Sequence, residues 1–495
     1  MSDSSVMRAG VFRHRAAWVA GVAGLAFLVR IPFLGVPVDR DLGAQAYVAR
    51  AWKNGQLPYR DIFHEKPPGI YLAYRAGWAV FGDSPAATML TGAFCAAASS
   101  ALVAVMGAQL FGPAAGAGAG ALYAVWSGGP AIEGWAPNTE TFMTVFVLAS
   151  MRLAWRGRPL TAGIALGVAG LMRQTGLAMF PAVLAVAVVL AGGGPARRGG
   201  WRAAARLTGG VALPWIAMGG YFAARGAWGA YWDGVLWYNL MYYIPDLRVE
   251  PWNWFRGNFT MVFREAPVAW VAGLVGFLLA LAGPRSNRGR EGRVLALWFL
   301  CAVIGVMVGR RYFKHYFLQV LPPLAFLAVA ALRAIPSRPI RWAAAAAVAV
   351  LLPPVLMPKA YVREGGEELS FRAFGTTVFS ASRQAAEVIR SSTRPNDTVY
   401  VWGMEPEIYY LAERRCSSRY IFTYHAQALL PNDAAVWREA SRARPRVVVT
   451  LGPSSNADWF AALDGYRLSK EIRFVDSMEA AGPAWTTMRL YRRPA

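Results

Sequence analysis

The chain contains little cysteine and little negative charge. Its three cysteines, Cys95, Cys301 and Cys416, are far apart, so neither a disulfide framework nor a CxxC metal site is available. There are 28 acidic residues against 51 Lys and Arg, a formal net charge of +23. Nucleic acid could balance that charge, but most arginines form short clusters between apolar runs, as in cytoplasmic loops of membrane proteins. We therefore expect membrane lipids, and no nucleic acid, as partners.

Charged residues of both signs are scarce, at 16% of 495 residues, whereas 56% are hydrophobic. This balance excludes an ordinary soluble domain. The sequence predicts a polytopic α-helical membrane protein with about 11 transmembrane helices, each about 17 to 25 residues long. The apolar stretches lie near residues 16–36, 86–111, 113–130, 140–155, 160–176, 177–193, 207–224, 262–283, 294–309, 317–334 and 342–357.

The arginine-rich connections predict the orientation. With the N-terminus inside, "RLAWRGRP", "ARRGGWRAAAR", "PRSNRGREGR" and "RAIPSRPIR" all become cytoplasmic. Residues 37–85, 130–139, 225–261, 310–316 and everything after about 358 then face the other side. The Arg-, Ala- and Gly-rich composition is typical of a GC-rich bacterium. We expect a multi-pass protein of the bacterial inner membrane, with its active site and C-terminal domain on the periplasmic face.

The C-terminal part changes character. The runs "NDTVYVWG", "SRYIFTY" and "RPRVVVTLG" are short, β-branched and aromatic, whereas "SASRQAAEVIRSS" has helical spacing. The sequence therefore predicts two domains: a transmembrane module over 1–357, in which the first external loop is 37–85, and a soluble α/β domain over 358–495.

The first external loop carries the densest charge. The apolar positions of "LGAQAYVARAWKNG" repeat at helical spacing, which predicts an interfacial amphipathic helix after Asp39 and Asp41. Two consecutive prolines end the "HEKPP" stretch and cannot continue a helix, so we expect His64 and Lys66 to face back toward the aspartates. A carboxylate opposite cations suits attack on a glycosyl phosphate, because it accepts the acceptor's proton while the cations stabilise the departing phosphate. The alternative is a solvated, salt-bridged loop.

Other polar residues are predicted on the same external side. Glu140 begins a span, with Asn138 or Thr139 as its cap, and its charge also suits the positive end of the helix dipole. Arg173 lies at the external end of the fifth span. It could bind the lipid phosphate of a substrate there, or it could simply extend toward the lipid headgroups. Arg310, Arg311, Lys314 and His315 form an external cationic patch that a phosphate group would neutralise.

The stretch "DRDLGAQAYVARAWKNGQLPYRDIFHEKPPGIYLAYRAGWAVFGDS" resembles the first external loop of bacterial GT-C glycosyltransferases. This superfamily includes glycosyltransferase family 39, the protein O-mannosyltransferases and the lipid A aminoarabinose transferase. The resemblance extends, in the same order, to "APNTETFM", "GLMRQTG" and "YFKHYFLQVLPPLAFL". It implies a GT-C fold and an inverting transfer of a hexose or pentose from a polyprenyl-phosphate donor to a lipid, glycan or protein hydroxyl in the cell envelope.

The resemblance also implies roles for individual residues. By its distance in sequence from Tyr47 and Arg50, Asp41 corresponds to the family's presumed catalytic aspartate. Leu42 then occupies the next position, where the family usually has Glu. We expect Asp41 to be the general base and to be fixed by its helix, with Asp39 freer and able to assist. The remaining assignments are Lys66, His64, Arg173, Arg310, Arg311 and His315 at the donor phosphate and Glu65, Glu140, Asn138 and Tyr59 at the substrate. Relatives differ in metal dependence, so a divalent cation at Asp39 and Asp41 stays open.

Two alternatives to a glycosyltransferase remain. A flippase or transporter of lipid-linked glycans would use the same cations without breaking a bond, although transporters usually place charges near the midplane and contain internal repeats. A non-catalytic membrane anchor for the C-terminal domain would leave the charged first loop without a role.

Overall fold

The computed structural model describes residues 3–190, 199–245, 250–283, 287–337, 365–452, 456–476 and 484–494. They form two compact units. One contains the described residues of 1–34, 89–220 and 246–363, and the other those of 35–88, 221–245 and 364–495. The first external loop and the C-terminal segment therefore belong to the same unit. The predicted domain boundary at 358 lies outside the described residues.

The first unit is helical. Its helices are Asp3–Leu28, Pro85–Phe111, Pro113–Trp126, Thr139–Trp155, Pro159–Met172, Phe180–Ala185, Gly199–Ala224, Pro251–Glu265, Pro267–Ala282, Asn287–Val308 and Leu321–Ala334. Among the described residues, five helical stretches are long and apolar enough to cross a membrane: Ala16–Phe33, Pro85–Phe111, Gly199–Ala224, Gly289–Val308 and Lys314–Ala334. Helices occur at ten predicted spans, but several are shorter than a full crossing, and the predicted span at 342–357 lies outside the described residues. The count of about eleven stays a prediction.

The predicted span at 262–283 is interrupted. Helices Pro251–Glu265 and Pro267–Ala282 meet at an angle of 101° and would together add a sixth crossing. Ala266 at the break has φ −147° and ψ 57°. Pro267 explains the break, because proline lacks an N–H and disfavours helical geometry in the residue before it.

Glycines allow close helix packing in this unit. A Cβ added to Gly116 would lie 2.2 Å from the backbone nitrogen of Ala108, and one added to Gly163 would lie 2.1 Å from the carbonyl oxygen of Leu207. Only a residue without a side chain fits at such distances. These two glycines therefore allow close approach between helices, as expected in membrane proteins.

The second unit contains a five-stranded sheet. Its strands are β1 Thr398–Trp402, β2 Arg415–Cys416, β3 Val447–Leu451, β4 Arg467–Asp476 and β5 Ala484–Arg492, in the order β2-β1-β3-β5-β4. Strand β1 is parallel to β2 and β3, whereas β5 is antiparallel to β3 and β4. The C-terminal helices are Gly366–Phe374, Val378–Ser392, Glu407–Ala412, Thr423–Leu429, Asp433–Ser441 and Asn456–Leu463. The predicted α/β character is confirmed, but "SRYIFTY" is not a strand: its Arg419 carbonyl instead accepts a hydrogen bond from the Phe63 N–H.

The same unit contains the helices of the first loop, Arg40–Lys53 and Gly69–Phe81, and the helical segment Trp228–Tyr243. The helix predicted after the aspartates is confirmed, but most of its residues are buried and it does not lie on a surface. At Gly43 an added Cβ would lie 2.3 Å from Glu407 Cβ, so the helix packs at backbone distance against Glu407–Ala412. This C-terminal helix covers a face that the sequence predicted to meet the membrane interface.

Candidate active site in the first loop

Aromatic and amide side chains fix the backbone of the "HEKPP" stretch. Tyr59 has a φ of 71° and is fully buried, and its hydroxyl donates a 2.8 Å hydrogen bond to the carbonyl of Lys66. The Tyr71 hydroxyl donates to the same carbonyl at 3.2 Å. Asn239 Nδ2 donates to the carbonyl of Glu65 at 3.0 Å. Tyr59, predicted as a substrate ligand, thus shapes the loop through its hydroxyl.

Glu65 lies at the centre of a buried cluster of charges. Its Oε1 is 3.2 Å from Lys66 Nζ, and its Oε2 is 3.0 Å from His425 Nε2 and 3.7 Å from His64 Nε2. Burial opposes ionisation, but beside His64, Lys66 and His425 the pKa of Glu65 lies well below its ordinary value. Glu65 is therefore a carboxylate that orients its neighbours.

His64 differs from the cation that the sequence predicted. Burial lowers the pKa of His64 to about 4, although the charge of Glu65 opposes the shift. The imidazole is thus neutral at pH 7, and its Nδ1 lies 2.7 Å from the Tyr71 hydroxyl. His64 enters the site as an uncharged hydrogen-bonding group.

Lys66 is the accessible member of the cluster. Its side chain is 12% exposed, against 4% for Glu65 and 2% for His64. Its Nζ lies 6.0 Å from the centre of the Tyr243 ring. A positioned, partly exposed ammonium can meet an anionic ligand such as a phosphate.

The two aspartates have different surroundings from those expected. Asp39 is the N-cap of helix Arg40–Lys53: it is buried, and its Oδ1 accepts a 3.0 Å hydrogen bond from the Leu42 N–H. Asp41 lies in the first turn and is half-buried. The expectation that Asp39 is the freer of the two is wrong, because a side chain at the N-cap reaches the free N–H groups of the first turn. Burial lowers the pKa of His64 far more than the negative charge of Asp41 raises it.

In the first unit, the structure brings together two other predicted residues. Arg173 Nη1 lies 2.7 Å from Glu140 Oε1, and the guanidinium lies 3.9 Å from the centre of the Tyr316 ring. Thr139 donates a 2.9 Å hydrogen bond to Glu140. Asn138 occupies the N-cap position without a side-chain capping bond. Arg173 is buried against Glu140 and does not extend toward headgroups.

The predicted cationic patch of the first unit includes an acid that sequence reasoning missed. The Glu133 carboxylate contacts two neighbouring residues of this patch, with Lys314 Nζ at 2.8 Å and His315 Nδ1 at 2.9 Å. Burial opposes ionisation, but Lys314 and His315 lower the pKa of Glu133 to about 2. Lys314 and His315 therefore have an internal counterion. Arg310, with φ 53°, and Arg311 are partly exposed.

His425 is the other group that sequence reasoning missed. The signal that could have found it is scarcity, because the chain has 4 histidines and three of them, His64, His315 and His425, are buried beside glutamates.

In the described part of the chain, no group of three His, Cys, Asp or Glu side chains is arranged to hold a metal ion.

Solved structures with the same fold cover nearly the whole chain. ArnT from Cupriavidus metallidurans in the apo state matches with a TM-score of 0.64 and 16% identity over 97% of this chain and 98% of that one. ArnT bound to undecaprenyl phosphate matches with a TM-score of 0.62 and 16% identity over 96% and 97%. The archaeal oligosaccharyltransferase AglB from Archaeoglobus fulgidus, in complex with an inhibitory peptide and a dolichol-phosphate, matches with a TM-score of 0.55 and 14% identity. This match covers 88% of this chain and 69% of that one.

No protein-family model and no curated protein sequence matches the chain. The structural matches confirm the GT-C fold that the first-loop resemblance predicted.

Proposed function

We propose that this protein is an inverting membrane glycosyltransferase that moves a sugar from a polyprenyl-phosphate donor to a hydroxyl group of a lipid, glycan or protein. The observation that carries the proposal is the fold shared, over 96% of the chain, with an ArnT structure bound to undecaprenyl phosphate. The proposal is also supported by the ammonium of Lys66, which Glu65 contacts at 3.2 Å and which lies in the same unit as Asp41.

In the proposed reaction, the Asp41 carboxylate takes the proton of the acceptor hydroxyl as its oxygen attacks the anomeric carbon. The bond between that carbon and the phosphate oxygen breaks, and polyprenyl phosphate leaves with the electron pair. Lys66, directed by Glu65, stabilises the charge that develops on the phosphate. One displacement from the opposite face inverts the configuration. Arg310 and Arg311 are proposed as further anion-binding residues of the first unit.

Transfer can be tested with the purified protein in detergent. Mass spectrometry of lipids and glycans from a gene-deletion strain first identifies the missing sugar, and the corresponding labelled undecaprenyl-phosphate sugar is then supplied with acceptor. We expect Lys66→Ala to lower transfer by at least about a hundredfold. Lys53→Ala is the matched control, because Lys53 is an exposed lysine 3.6 Å from Asp83. Equal transfer by Lys66→Ala and wild type would reject the assignment.

The flippase alternative predicts a different product. In proteoliposomes, a flippase would move the labelled donor across the bilayer with its sugar still attached. The glycosyltransferase instead releases undecaprenyl phosphate as the sugar appears on the acceptor. If the donor crosses the bilayer with its sugar still attached and no bond is cleaved, the protein is a flippase and the proposed function is wrong.

We further propose that the protein lies in a bacterial inner membrane with its second unit facing the periplasm. An Arg438→Cys substitution, made in a background lacking the three native cysteines, places a thiol at an exposed C-terminal position. A membrane-impermeant maleimide should label it in intact spheroplasts. Labelling only after permeabilisation would show that the second unit faces the cytoplasm, the opposite of the proposed orientation.

A further inference from the structure

A histidine of the C-terminal segment contacts the charged cluster of the first loop. His425 lies in helix Thr423–Leu429 and is fully buried. Its Nε2 is 3.0 Å from Glu65 Oε2, a close ion-pair contact whose geometry is not that of a hydrogen bond. The other oxygen of Glu65 is 3.2 Å from Lys66 Nζ. One carboxylate thus joins the imidazole of one segment to the ammonium of another.

Aromatic rings hold the imidazole in place. Phe63 of the first loop and Tyr238 of the segment Trp228–Tyr243 each lie 5.1 Å from it between ring centres, both nearly edge-on. Phe422 and Tyr424 follow at 5.2 and 4.3 Å. Rings packed on several sides leave the imidazole little freedom to rotate.

The helix of His425 is itself anchored to the sheet. The backbone N–H of Gly403, just after β1, donates a 2.9 Å hydrogen bond to the Thr423 hydroxyl. The N–H of Thr423 donates to the Gly403 carbonyl at 3.1 Å. The position of the imidazole is therefore fixed by the C-terminal sheet as well as by the aromatic rings.

We propose that His425 is a positioning residue for donor binding: its imidazole, packed 3.0 Å from one oxygen of Glu65, keeps the other oxygen toward Lys66 and thereby fixes the ammonium at the donor phosphate. A carboxylate with a fixed ring against one oxygen and a cation at the other has little freedom to turn, whereas a carboxylate that contacts only a flexible lysine can turn with it. The C-terminal segment thereby contributes to a site whose charged groups otherwise come from the first loop. The donor's identity rests on the proposed function, but the coupling of His425 to Lys66 does not.

The coupling can be measured without any donor. The chain has five lysines, Lys53, Lys66, Lys314, Lys359 and Lys470, so reductive methylation with a 13C label gives few NMR signals, and Lys66→Ala identifies the one of interest. His425→Phe keeps a ring inside the aromatic cluster but removes both nitrogens. His425→Gln keeps an N–H donor near the Nε2 position.

We expect His425→Phe to shift the Lys66 signal and its pH titration, and His425→Gln to restore them toward the wild-type values. Gln427→Ala on the same helix is the control, because Gln427 is exposed and pairs with Asp433. Should His425→Phe fail to fold, Glu65→Gln must shift the same signal. An unchanged Lys66 signal in a folded His425→Phe or Glu65→Gln protein would overturn the inference.

Transfer kinetics give the second readout. We expect His425→Phe to raise the donor KM by about tenfold or more, with a smaller change in kcat, because a lost contact to a charged group weakens binding to that degree. In the Lys66→Ala background, His425→Phe should add little further loss. Fully multiplicative losses would overturn the inference. A wild-type protein that transfers no sugar would instead reject the proposed function, and the NMR signal would still decide the role of His425.

Discussion

Arg173 and Glu140 form a buried ion pair, with 2.7 Å between the arginine Nη1 and the glutamate Oε1. The arginine side chain is 8% exposed and the glutamate side chain 0%. The sequence predicted each as a separate ligand, whereas the structure makes each the counterion of the other. Removing one of the two leaves a buried charge without its counterion.

Arg173→Ala should therefore destabilise the protein strongly, by about 3–5 kcal/mol. Arg152→Ala is the control, because Arg152 lies in the helix that begins at Thr139 and donates to Gln109 at an exposed position. Denaturant unfolding in detergent measures both. A stable Arg173→Ala protein would show that Glu140 finds another partner or takes up a proton.

Substitutions at Asp39 and Asp41 should affect different properties: stability at Asp39 and catalysis at Asp41. Asp39→Ala removes the N-cap of helix Arg40–Lys53 and should cost about 1 kcal/mol, whereas Asp39→Asn retains a capping oxygen. Asp41→Asn should fold normally and lower single-turnover transfer by at least about a hundredfold. Equal loss of transfer in Asp39→Asn and Asp41→Asn would make the two carboxylates a joint site.

His64 should make the folded state sensitive to mild acid. Because burial lowers the pKa of His64 to about 4, the unfolded chain takes up a proton below pH about 6.5 that the folded protein does not. The free energy of unfolding should thus fall as the pH falls from 6.5 toward 4. Between pH 7 and 4.5, wild type should lose about 2 kcal/mol more than His64→Asn. Parallel pH profiles would indicate that the native imidazole is protonated.

Gly43 should be intolerant of any side chain. An added Cβ would lie 2.3 Å from Glu407 Cβ and 2.4 Å from its Cα, so the two helices would have to separate. We expect Gly43→Ala to cost about 1–3 kcal/mol. Gly118→Ala, in helix Pro113–Trp126 with no atom within 4 Å, should instead stabilise by about 0.5–1 kcal/mol. Thermal unfolding of the two variants compares them, and similar melting temperatures would contradict the close packing.

Much of the fold was predictable because its signals are local. The apolar runs predicted helices at ten stretches, the spacing after Asp41 predicted the helix Arg40–Lys53, and the valine-rich runs predicted β1 and β3. The order of the first-loop and later motifs pointed to the GT-C fold, which the structural matches confirm. The break at Ala266 was also readable from Pro267 and from the charged pair Arg264 and Glu265 before it.

The sequence by itself determined which segments are apolar, which are helical and where charge is concentrated, because transfer free energy and periodicity belong to each segment alone. Only the tertiary structure decided which partner each buried charge meets. Glu65 contacts His425, Glu133 contacts Lys314 and His315, and all three contacts join residues far apart in sequence. Such pairs follow from how distant elements pack, and a buried charge must be paired wherever packing places it.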